Sequence, residues 1–401
     1  MKKEFDSISR LYDLLHFGEF GGVNPSITDS STYTFLNPDD MEETFHGHAR
    51  GCFLYSRHWN PSNKFLADAI ATIENTETAW VTASGMAAIT CVILQLCNTG
   101  DHLITSVTTY GGTYAFLKNY LKKFNIEVSF VDITDLNRVE EAIKPNTKLI
   151  YTESVTNPLL QVSDIPALAK LAACYNIKVM VDNTFTPLII TPTNLGADFT
   201  VYSLTKFVNG KNDCLGGAIC GRQQFIDDLT DVHTGTAMLL GPVLDPLRSS
   251  GILKNMHTLH LRMKQHSKNA MYLAERLSEL NIKVIYPGLN SHPQHRLMKQ
   301  IMNEEYGFGG IMAFVLDSAS TAYKLMQKMQ QEQVGYLAVS LGYFKTLFSC
   351  SGKSTSSEIP EDIQKQMGLS EGLIRFSVGL DNDIEQTFGR IKKCLIEMKI
   401  V

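Results

Sequence analysis

The sequence predicts an α/β protein that has a mostly parallel central sheet and a second, smaller α/β domain. From about residue 62, amphipathic helical segments alternate with short apolar strands, the pattern of a parallel sheet covered by helices. After a long helical stretch around residues 225–280, strand and helix patterns resume in a shorter series. We therefore expect an N-terminal arm at residues 1–59, a large domain at 60–256 and a small domain at 257–401.

The composition is that of an ordinary globular chain. Its 401 residues are 44% hydrophobic and 19% charged, and the formal net charge is −5. This charge gives no electrostatic reason to expect nucleic acid or an anionic membrane as a partner. No apolar run is long enough to span a bilayer. The first residues contain Glu4 and Asp6 in place of the apolar core of a signal peptide, so we expect a cytoplasmic location.

The cysteine and histidine content does not predict a disulfide framework or a metal site. The eight cysteines are scattered singly, and none forms a C-x-x-C motif. His46, His48 and Cys52 have ligand-like spacing, but polar, turn-like sequence flanks them and a fourth ligand is lacking. We expect most cysteines to pack as small apolar residues.

The arm shows no sustained periodicity, so it cannot bury a core of its own and is predicted to lie on another surface. It ends in Tyr55-Ser56-Arg57-His58-Trp59-Asn60-Pro61. Tyr55 and Arg57 fall on one side of an extended segment, where a phenol and a guanidinium suit an anionic ligand. An ion pair between Arg57 and a surface carboxylate explains the same residues equally well.

The large domain is predicted from its alternation of elements. The sequence predicts helices at 64–74, 87–97, 114–124 and 136–143, and strands at 79–82, 103–107, 128–133, 149–153, 178–182, 199–202 and 218–220.

Two of the predicted strands end in loops that could bind a ligand. A small-residue turn containing Gly85 and Met86 opens a helix and would present free N–H groups to a phosphate, although many α/β turns look alike. Tyr110 follows another strand, where it could stack on an aromatic ring, act as an acid or simply pack.

The stretch 181–206 carries the most specific chemistry. Asp182 ends one strand. Lys206 follows the next strand, with the hydroxyl residues Ser203 and Thr205 close to it in the sequence. The carboxyl ends of parallel strands converge on the ligand crevice, so Asp182 and Lys206 should lie close together. An amine for a Schiff base, a carboxylate for a pyridinium nitrogen and hydroxyls for a phosphate are what pyridoxal phosphate (PLP) requires. A surface lysine at a strand end is the alternative.

The recurrence of such loops strengthens the PLP interpretation. Strand-end loops near residues 85, 110, 153, 182 and 206 all carry small or polar groups. Unrelated core strands would not repeatedly end in groups that complement one ligand. The sequence therefore predicts a site along this edge of the sheet.

The small domain is predicted to contain strands at 283–286, 311–316 and 373–378 and helices at 322–329 and 383–398. Arg375 lies within its last apolar strand. A charge in such a strand must be paired, and either a substrate carboxylate or a structural salt bridge would serve.

Several motifs together resemble one family. YSRHWNP, SGMAAI, YGGTY, ESVTNP, VDNTF, SLTKF and SEGLIRFSVG occur here in the order seen in the Cys/Met-metabolism family of fold-type-I PLP enzymes. The resemblance extends from about Phe53 to the C-terminus. Segments 284–295, 306–310 and 338–358 are most similar to the plant-type methionine γ-lyase branch of that family.

The resemblance implies a fold-type-I architecture and a role for each matched residue. Lys206 would bind PLP covalently and move protons, and Tyr110 would stack on the ring and protonate the leaving thiolate. The implied cofactor-binding residues are Lys206, Asp182, Ser203, Thr205, Gly85, Met86, Tyr110, Asn157 and, from a neighbouring subunit, Tyr55 and Arg57. The implied substrate-binding residues are Ser340, Arg375, Val339 and Tyr55.

The same resemblance implies a reaction and an assembly. It implies α,γ-elimination of L-methionine, with cystathionine γ-lyase, cystathionine γ-synthase and O-acetylhomoserine sulfhydrylase chemistry as alternatives. It also implies a homo-oligomer, a dimer or a dimer of dimers, because the site borrows residues from a second subunit.

Three positions depart from the family pattern: Gly112, Lys211 and Val339. Many relatives carry a cysteine, a histidine and an acidic residue there, respectively. An apolar Val339 suits a thioether methyl better than a charged tail, which favours methionine as the substrate.

Overall fold

The computed structural model describes residues 5–45, 52–350 and 359–401, with the backbone alone at Gln366. Its larger sheet has seven strands, in the order β1-β7-β6-β5-β4-β2-β3. The strands are β1 Thr78–Thr82, β2 His102–Ser106, β3 Glu127–Val131, β4 Thr147–Glu153, β5 Lys178–Asp182, β6 Phe199–Ser203 and β7 Gly217–Gly221. The pairs from β3 through β6 are parallel, whereas β7 runs antiparallel to both of its neighbours.

The central parallel strands β4, β5 and β6 are largely apolar and buried because helices cover both faces of the sheet, whereas the edge strand β3 is partly exposed. The α-helices described before residue 257 are α1 Ser7–Asp13, α2 Pro38–Phe45, α3 Pro61–Glu74, α4 Gly85–Leu96, α5 Gly111–Ala115, α6 Leu136–Glu141, α7 Ile165–Cys174, α8 Gln223–Thr230, α9 Thr236–Leu240 and α10 Pro246–Met256. Short 3-10 turns occupy Glu19–Gly21, Leu121–Phe124 and Pro192–Leu195. Asn60 caps the N-terminus of α3, and Pro61 fixes its first turn.

The smaller sheet has five strands, in the order β10-β11-β12-β9-β8. They are β8 Lys283–Ile285, β9 Ile311–Val315, β10 Tyr336–Leu337, β11 Leu347–Cys350 and β12 Leu373–Ser377. The accompanying helices are α11 Leu259–Glu279, α12 His295–Ile301, α13 Ala319–Gln331, α14 Glu361–Gln366 and α15 Ile384–Glu397, with a 3-10 turn at Glu304–Tyr306. The predicted alternation of helix and strand is therefore present in both parts of the chain.

The transition between the two parts runs through one helix. Leu259 and Met263, in the first turns of α11, pack into the core of the large sheet. Leu273 and Leu277, about three turns further on, pack into the separate core of the small sheet. Because α11 belongs to both cores, the division at residue 257 is a gradual one and remains a prediction.

One sequence expectation needs adjustment. The helix expected at 114–124 is three consecutive pieces, α5, a π-helical turn at Phe116–Tyr120 and the 3-10 turn that follows it. The left-handed conformation of Asn125, with φ of 55°, ends this segment.

His46 and His48 lie outside the described residues, and the described part of the chain contains no cluster of three metal-ligating side chains.

The arm packs on the large domain through α1, whose residue Ile8 joins the main core. Arg10, near the end of α1, donates a hydrogen bond to Asn75 Oδ1 at 2.7 Å. Much of the remaining arm keeps its apolar side chains exposed, including Phe17, Phe20 and Leu36. Within the described residues, no helix combines the length and hydropathy that crossing a membrane requires.

Candidate active site

A cavity of about 280 Å³ lies at the carboxyl ends of the parallel strands, against the small domain. It contains every predicted site residue except Tyr55 and Arg57. The predicted residues that line it are Gly85, Met86, Tyr110, Asn157, Asp182, Ser203, Thr205, Lys206, Val339, Ser340 and Arg375. Strand ends that are far apart in sequence therefore meet at one place, as predicted.

Lys206 lies in the turn that follows β6, and its amine points into the cavity. Nζ donates a hydrogen bond to Ser340 Oγ at 2.8 Å. Burial, aided by the nearby positive charge of Arg375, lowers the pKa of Lys206 to about 8. A substantial fraction of the amine is therefore neutral near physiological pH, as a nucleophilic lysine requires.

Asp182 ends β5 and is fixed by a short local motif. Its Oδ1 accepts hydrogen bonds from Thr184 N at 2.9 Å and Thr184 Oγ1 at 2.5 Å. Thr184 Oγ1 in turn accepts from Ser203 N at 2.8 Å, which ties β5 to β6. Burial raises the pKa of Asp182 above its ordinary value despite these bonds. A cation such as a protonated pyridine nitrogen would restore the charged form.

The turn that opens α4 forms a cradle for an anion. Gly85 begins this 12-residue helix, so its first N–H groups have no intrahelical acceptor. A Cβ at Gly85 would lie 2.7 Å from Ser203 Cβ, so only glycine allows the helix to approach β6 so closely. Ser203 and Thr205 border the same cradle. The arrangement fits a phosphate group.

Arg375 is the most informative residue of the site. It is only 2% exposed, and no carboxylate lies within ion-pairing distance of its guanidinium among the described residues. Nη1 donates to Asn157 Oδ1 and Nη2 to the carbonyl of Ser340, both at 3.1 Å. Its Nε is buried without a partner. Of the two explanations that the sequence left open, the described residues provide no structural salt bridge, and they leave the guanidinium available for a carboxylate ligand.

Tyr110 precedes α5 at the cavity mouth and is 41% exposed. The backbone of Gly112 lies directly beside its ring, because a Cβ at Gly112 would be 2.7 Å from Tyr110 Cε1. The glycine at this position therefore leaves room for the tyrosine ring as it stands.

The structure adds Glu153 to the site, a residue for which the sequence analysis proposed no role. Glu153 ends β4 beside Asp182 in the strand register and is buried. Its Oε1 accepts from Thr109 Oγ1 and Tyr110 N, and its Oε2 accepts from Asn157 N at 2.8 Å. Burial and the charge of Asp182 raise the pKa of Glu153 to about 8. The carboxyl group thus links the loops that carry Tyr110 and Asn157.

Two further residues escaped the sequence analysis. Thr184 could have been found from the Asp-x-Thr spacing, because aspartate often accepts hydrogen bonds from the residue two positions later. Asn212 accepts a hydrogen bond from Ser340 Oγ at 3.1 Å. No local signal marks it, because its partner lies 128 residues away.

Tyr55 and Arg57 lie outside the cavity of their own chain. Arg57 Nη1 donates to the carbonyl of Met238 at 3.0 Å, and its guanidinium lies over the Tyr55 ring at 5.7 Å from the centroid. Tyr55 is 42% exposed. Their predicted role at a neighbouring site remains a prediction.

The groups present fit PLP. The unpartnered Nε of Arg375 suits a substrate carboxylate. The raised pKa of Asp182 suits a partner such as a pyridinium nitrogen, and the tight approach of Gly85 to Ser203 suits a phosphate. Lys206, with its lowered pKa, supplies the amine.

Comparisons with known proteins agree with this chemistry. A family model described as Cys/Met metabolism PLP-dependent enzyme matches residues 15–390. A methionine γ-lyase of Arabidopsis thaliana is 43% identical over 400 residues, which cover 98% of this chain and 91% of that protein. An L-methionine γ-lyase of Treponema denticola is 34% identical over 403 residues, which cover 98% of this chain and 98% of that protein.

A solved structure extends the comparison to the fold and the cofactor. A Campylobacter jejuni protein assigned as an O-acetylhomoserine (thiol)-lyase superposes with a TM-score of 0.91 at 28% identity, over 98% of this chain and 100% of that one. Its crystal structure contains N′-pyridoxyl-lysine-5′-monophosphate.

Proposed function

The chain belongs to the Cys/Met metabolism family of PLP-dependent enzymes, and within it we propose that this protein is a carbon–sulfur lyase acting on L-methionine. The proposed reaction is an α,γ-elimination that yields methanethiol, 2-oxobutyrate and ammonia. The observation that carries this choice is the apolar mouth of the cavity. Val339 and Leu215 line it, and they are 60% and 65% exposed, respectively.

The acidic residues of the cavity support methionine over cystathionine. Among the described residues that line it, the only carboxyl groups are Glu153 and Asp182, and both lie at the inner strand ends. Both are already hydrogen-bonded by their neighbouring loops. The distal ammonium of cystathionine would lose hydration without gaining a partner, whereas a methyl thioether gains contact with Val339 and Leu215.

When bound, PLP supplies an aldehyde for the lysine and a ring that withdraws electrons from the substrate's α-carbon. Arg375 holds the substrate carboxylate with its guanidinium fork. Lys206 would then remove the proton from Cα, pass it on to the bound cofactor and, neutral again, remove one from Cβ. Its lowered pKa favours the basic form of the amine that both removals require. Tyr110 donates a proton to the leaving sulfur.

The same residues that form the cradle are proposed to hold the cofactor. Gly85 and Met86, through their N–H groups, and Ser203 and Thr205, through their hydroxyls, bind the phosphate. Asp182 binds the pyridine nitrogen. Asn157, which contacts Glu153 and Arg375, would bind the hydroxyl of the ring.

The assay of first choice supplies the cofactor-loaded protein with L-methionine alone and measures methanethiol and 2-oxobutyrate together. Equal formation of both supports the proposal, and the Lys206→Ala variant should form neither. Cystathionine, and O-acetylhomoserine with sulfide, are tested in parallel. Activity on these substrates with none on methionine would refute the substrate assignment while leaving the cofactor chemistry intact.

We also propose a homo-oligomer in which Tyr55 and Arg57 complete the phosphate site of a neighbouring subunit. The exposed apolar side chains of the arm and the distance of these residues from their own cavity support it. Mixing an Arg57→Ala chain with a Lys206→Ala chain tests it, because a hybrid dimer rebuilds one intact site. Random re-assortment should restore about a quarter of the sites. No recovery after verified subunit exchange would refute the shared site.

The cytoplasmic location and the choice between dimer and dimer of dimers remain predictions from the sequence.

A further inference from the structure

The hydroxyl of Ser340 stands between the amine of Lys206 and the side chain of Asn212. Lys206 Nζ donates to Ser340 Oγ at 2.8 Å, and Ser340 Oγ donates to Asn212 Oδ1 at 3.1 Å. We propose that Asn212 is a positioning residue that fixes the direction of this hydrogen-bond chain and so keeps the lone pair of Lys206 free to react with the cofactor. The inference rests on the proposed role of Lys206 as the cofactor-binding lysine.

The number of protons on the Ser340 hydroxyl sets the direction of this hydrogen-bond chain. A serine hydroxyl has a single proton and can still accept hydrogen bonds through its oxygen. Because Asn212 Oδ1 takes that proton, Ser340 can only accept from Lys206. The lysine must then use an N–H bond for this contact. Its lone pair stays unoccupied once the amine is neutral.

Without Asn212, the direction of the chain would no longer be set. The hydroxyl of Ser340 could rotate and donate its proton to the neutral amine of Lys206. This would stabilise the neutral amine but would also occupy the electron pair that attacks the cofactor. The result would be a lysine that loses its proton more readily yet reacts more slowly.

Hydrogen bonds of neighbouring residues hold the loop that carries Asn212, whose own side chain is exposed. Asn212 has a left-handed backbone, with φ of 51°, in the loop that follows Lys206. Arg262 anchors the start of that loop by donating to the carbonyls of Phe207 and Val208. Asn209 closes the loop by donating to Asp213 Oδ1 at 2.8 Å.

Ser340 is held equally firmly from the other side. Its φ of 88° is unusual for a residue with a side chain. Arg375 Nη2 donates to its carbonyl at 3.1 Å, and a Cβ at Gly342 would lie 2.6 Å from Phe207 N. The tight contact of Gly342 with the residue after Lys206 keeps the backbone that follows Ser340 close to Lys206.

The test compares wild type with Asn212→Gly, which tolerates the left-handed backbone but removes the acceptor. Full-length protein freed of cofactor is mixed with PLP, and the rate of covalent attachment is followed by visible absorption at pH values on both sides of the lysine's pKa. Borohydride reduction and peptide mapping identify the labelled lysine. In Asn212→Gly, the plateau of the attachment rate at high pH should fall by roughly 3- to 10-fold, the factor that one ordinary hydrogen bond represents. The profile of attachment rate against pH should also shift to lower pH.

Three further variants separate positioning from a general structural effect. Asn212→Asp keeps the acceptor and should keep the plateau, with the profile shifted to higher pH by the added charge. In a Ser340→Ala background, Asn212→Gly should have no further effect on the plateau. Asn281→Gly removes an exposed asparagine of similar φ, 60°, far from this loop in sequence, and should leave the profile unchanged.

The outcomes are distinct. Reduction that labels another lysine in wild type would overturn the assignment of Lys206 and this inference with it. A labelled Lys206 with the same profile in wild type and Asn212→Gly would overturn the role of Asn212 alone. An Asn212→Asp variant that behaves like Asn212→Gly would show that the asparagine amide donates instead of accepting, and would also overturn it.

Discussion

Replacing Arg375 by methionine should raise stability while nearly abolishing activity. Burial lowers the pKa of Arg375 well below its ordinary value, to about 10, which corresponds to about 3 kcal/mol of unfavourable desolvation. A base whose folded pKa is lowered destabilises the fold at every pH below that folded pKa, so this penalty applies throughout the neutral range. Methionine removes the charge with a similar chain length.

Two smaller losses oppose this gain. Asn157 Oδ1 and the Ser340 carbonyl each lose one donor, at roughly 1 kcal/mol or less apiece because the cavity admits water. The net expectation for Arg375→Met is a gain of about 1–3 kcal/mol in the free energy of unfolding. In the reaction, loss of two charge-assisted hydrogen bonds to the substrate carboxylate should lower kcat/KM at least about 100-fold.

Thermal unfolding of the cofactor-loaded protein without substrate, together with kcat/KM for L-methionine, measures both effects. Arg375→Lys keeps a charge at the same depth and should lose activity without gaining stability. Arg262→Met is the matched control. Burial lowers the pKa of Arg262 to about 10 as well, but this guanidinium donates to three carbonyls, so the lost hydrogen bonds should offset the relieved desolvation and Arg262→Met should gain no stability. If Arg375→Met likewise gained no stability, Arg375 would be a structural cation and the reasoning would be wrong.

Three other changes test separate parts of the structure. Glu74 is buried and its pKa is raised from 4.5 to about 7, so its favourable contribution to stability is complete below pH 4.5 and is lost as the pH rises through 7. Relative to Glu74→Gln, wild type should lose about 3 kcal/mol of unfolding free energy over that range. Urea unfolding measured across this pH range tests it, and an equal pH dependence in wild type and Glu74→Gln would contradict it. Val339→Glu should lower kcat/KM for methionine by about tenfold or more, because a carboxylate must desolvate beside the methyl group; unchanged activity would remove Val339 from the substrate site. Gly112→Ala should displace the Tyr110 ring and so lower kcat by roughly tenfold or more. Both kcat and KM are measured, and an unchanged kcat would show that the ring adjusts freely.

Local patterns in the sequence were sufficient for most of the fold. The 3.6-residue and 2-residue periodicities depend on the immediate neighbours of each residue, so α3, α4, β5 and β6 lie within a few residues of their predicted bounds. The convergence of the strand ends also followed from the sequence, because parallel strands place their carboxyl ends on one edge. Asp182, Lys206 and the Gly85 turn were therefore brought together as expected.

Only the tertiary structure decided what faces these groups from the rest of the chain. The chain from Lys206 through Ser340 to Asn212 and the bond between Glu153 and Tyr110 N join residues that are distant in sequence. Among the described residues, the lack of a carboxylate near Arg375 likewise depends on which distant segments surround it. No periodicity or turn signal encodes such contacts, because they depend on how the small domain packs against the sheet. The sequence by itself determined which chemistry the site can perform, and the packing of the two sheets decided which side chains prepare Lys206 for it.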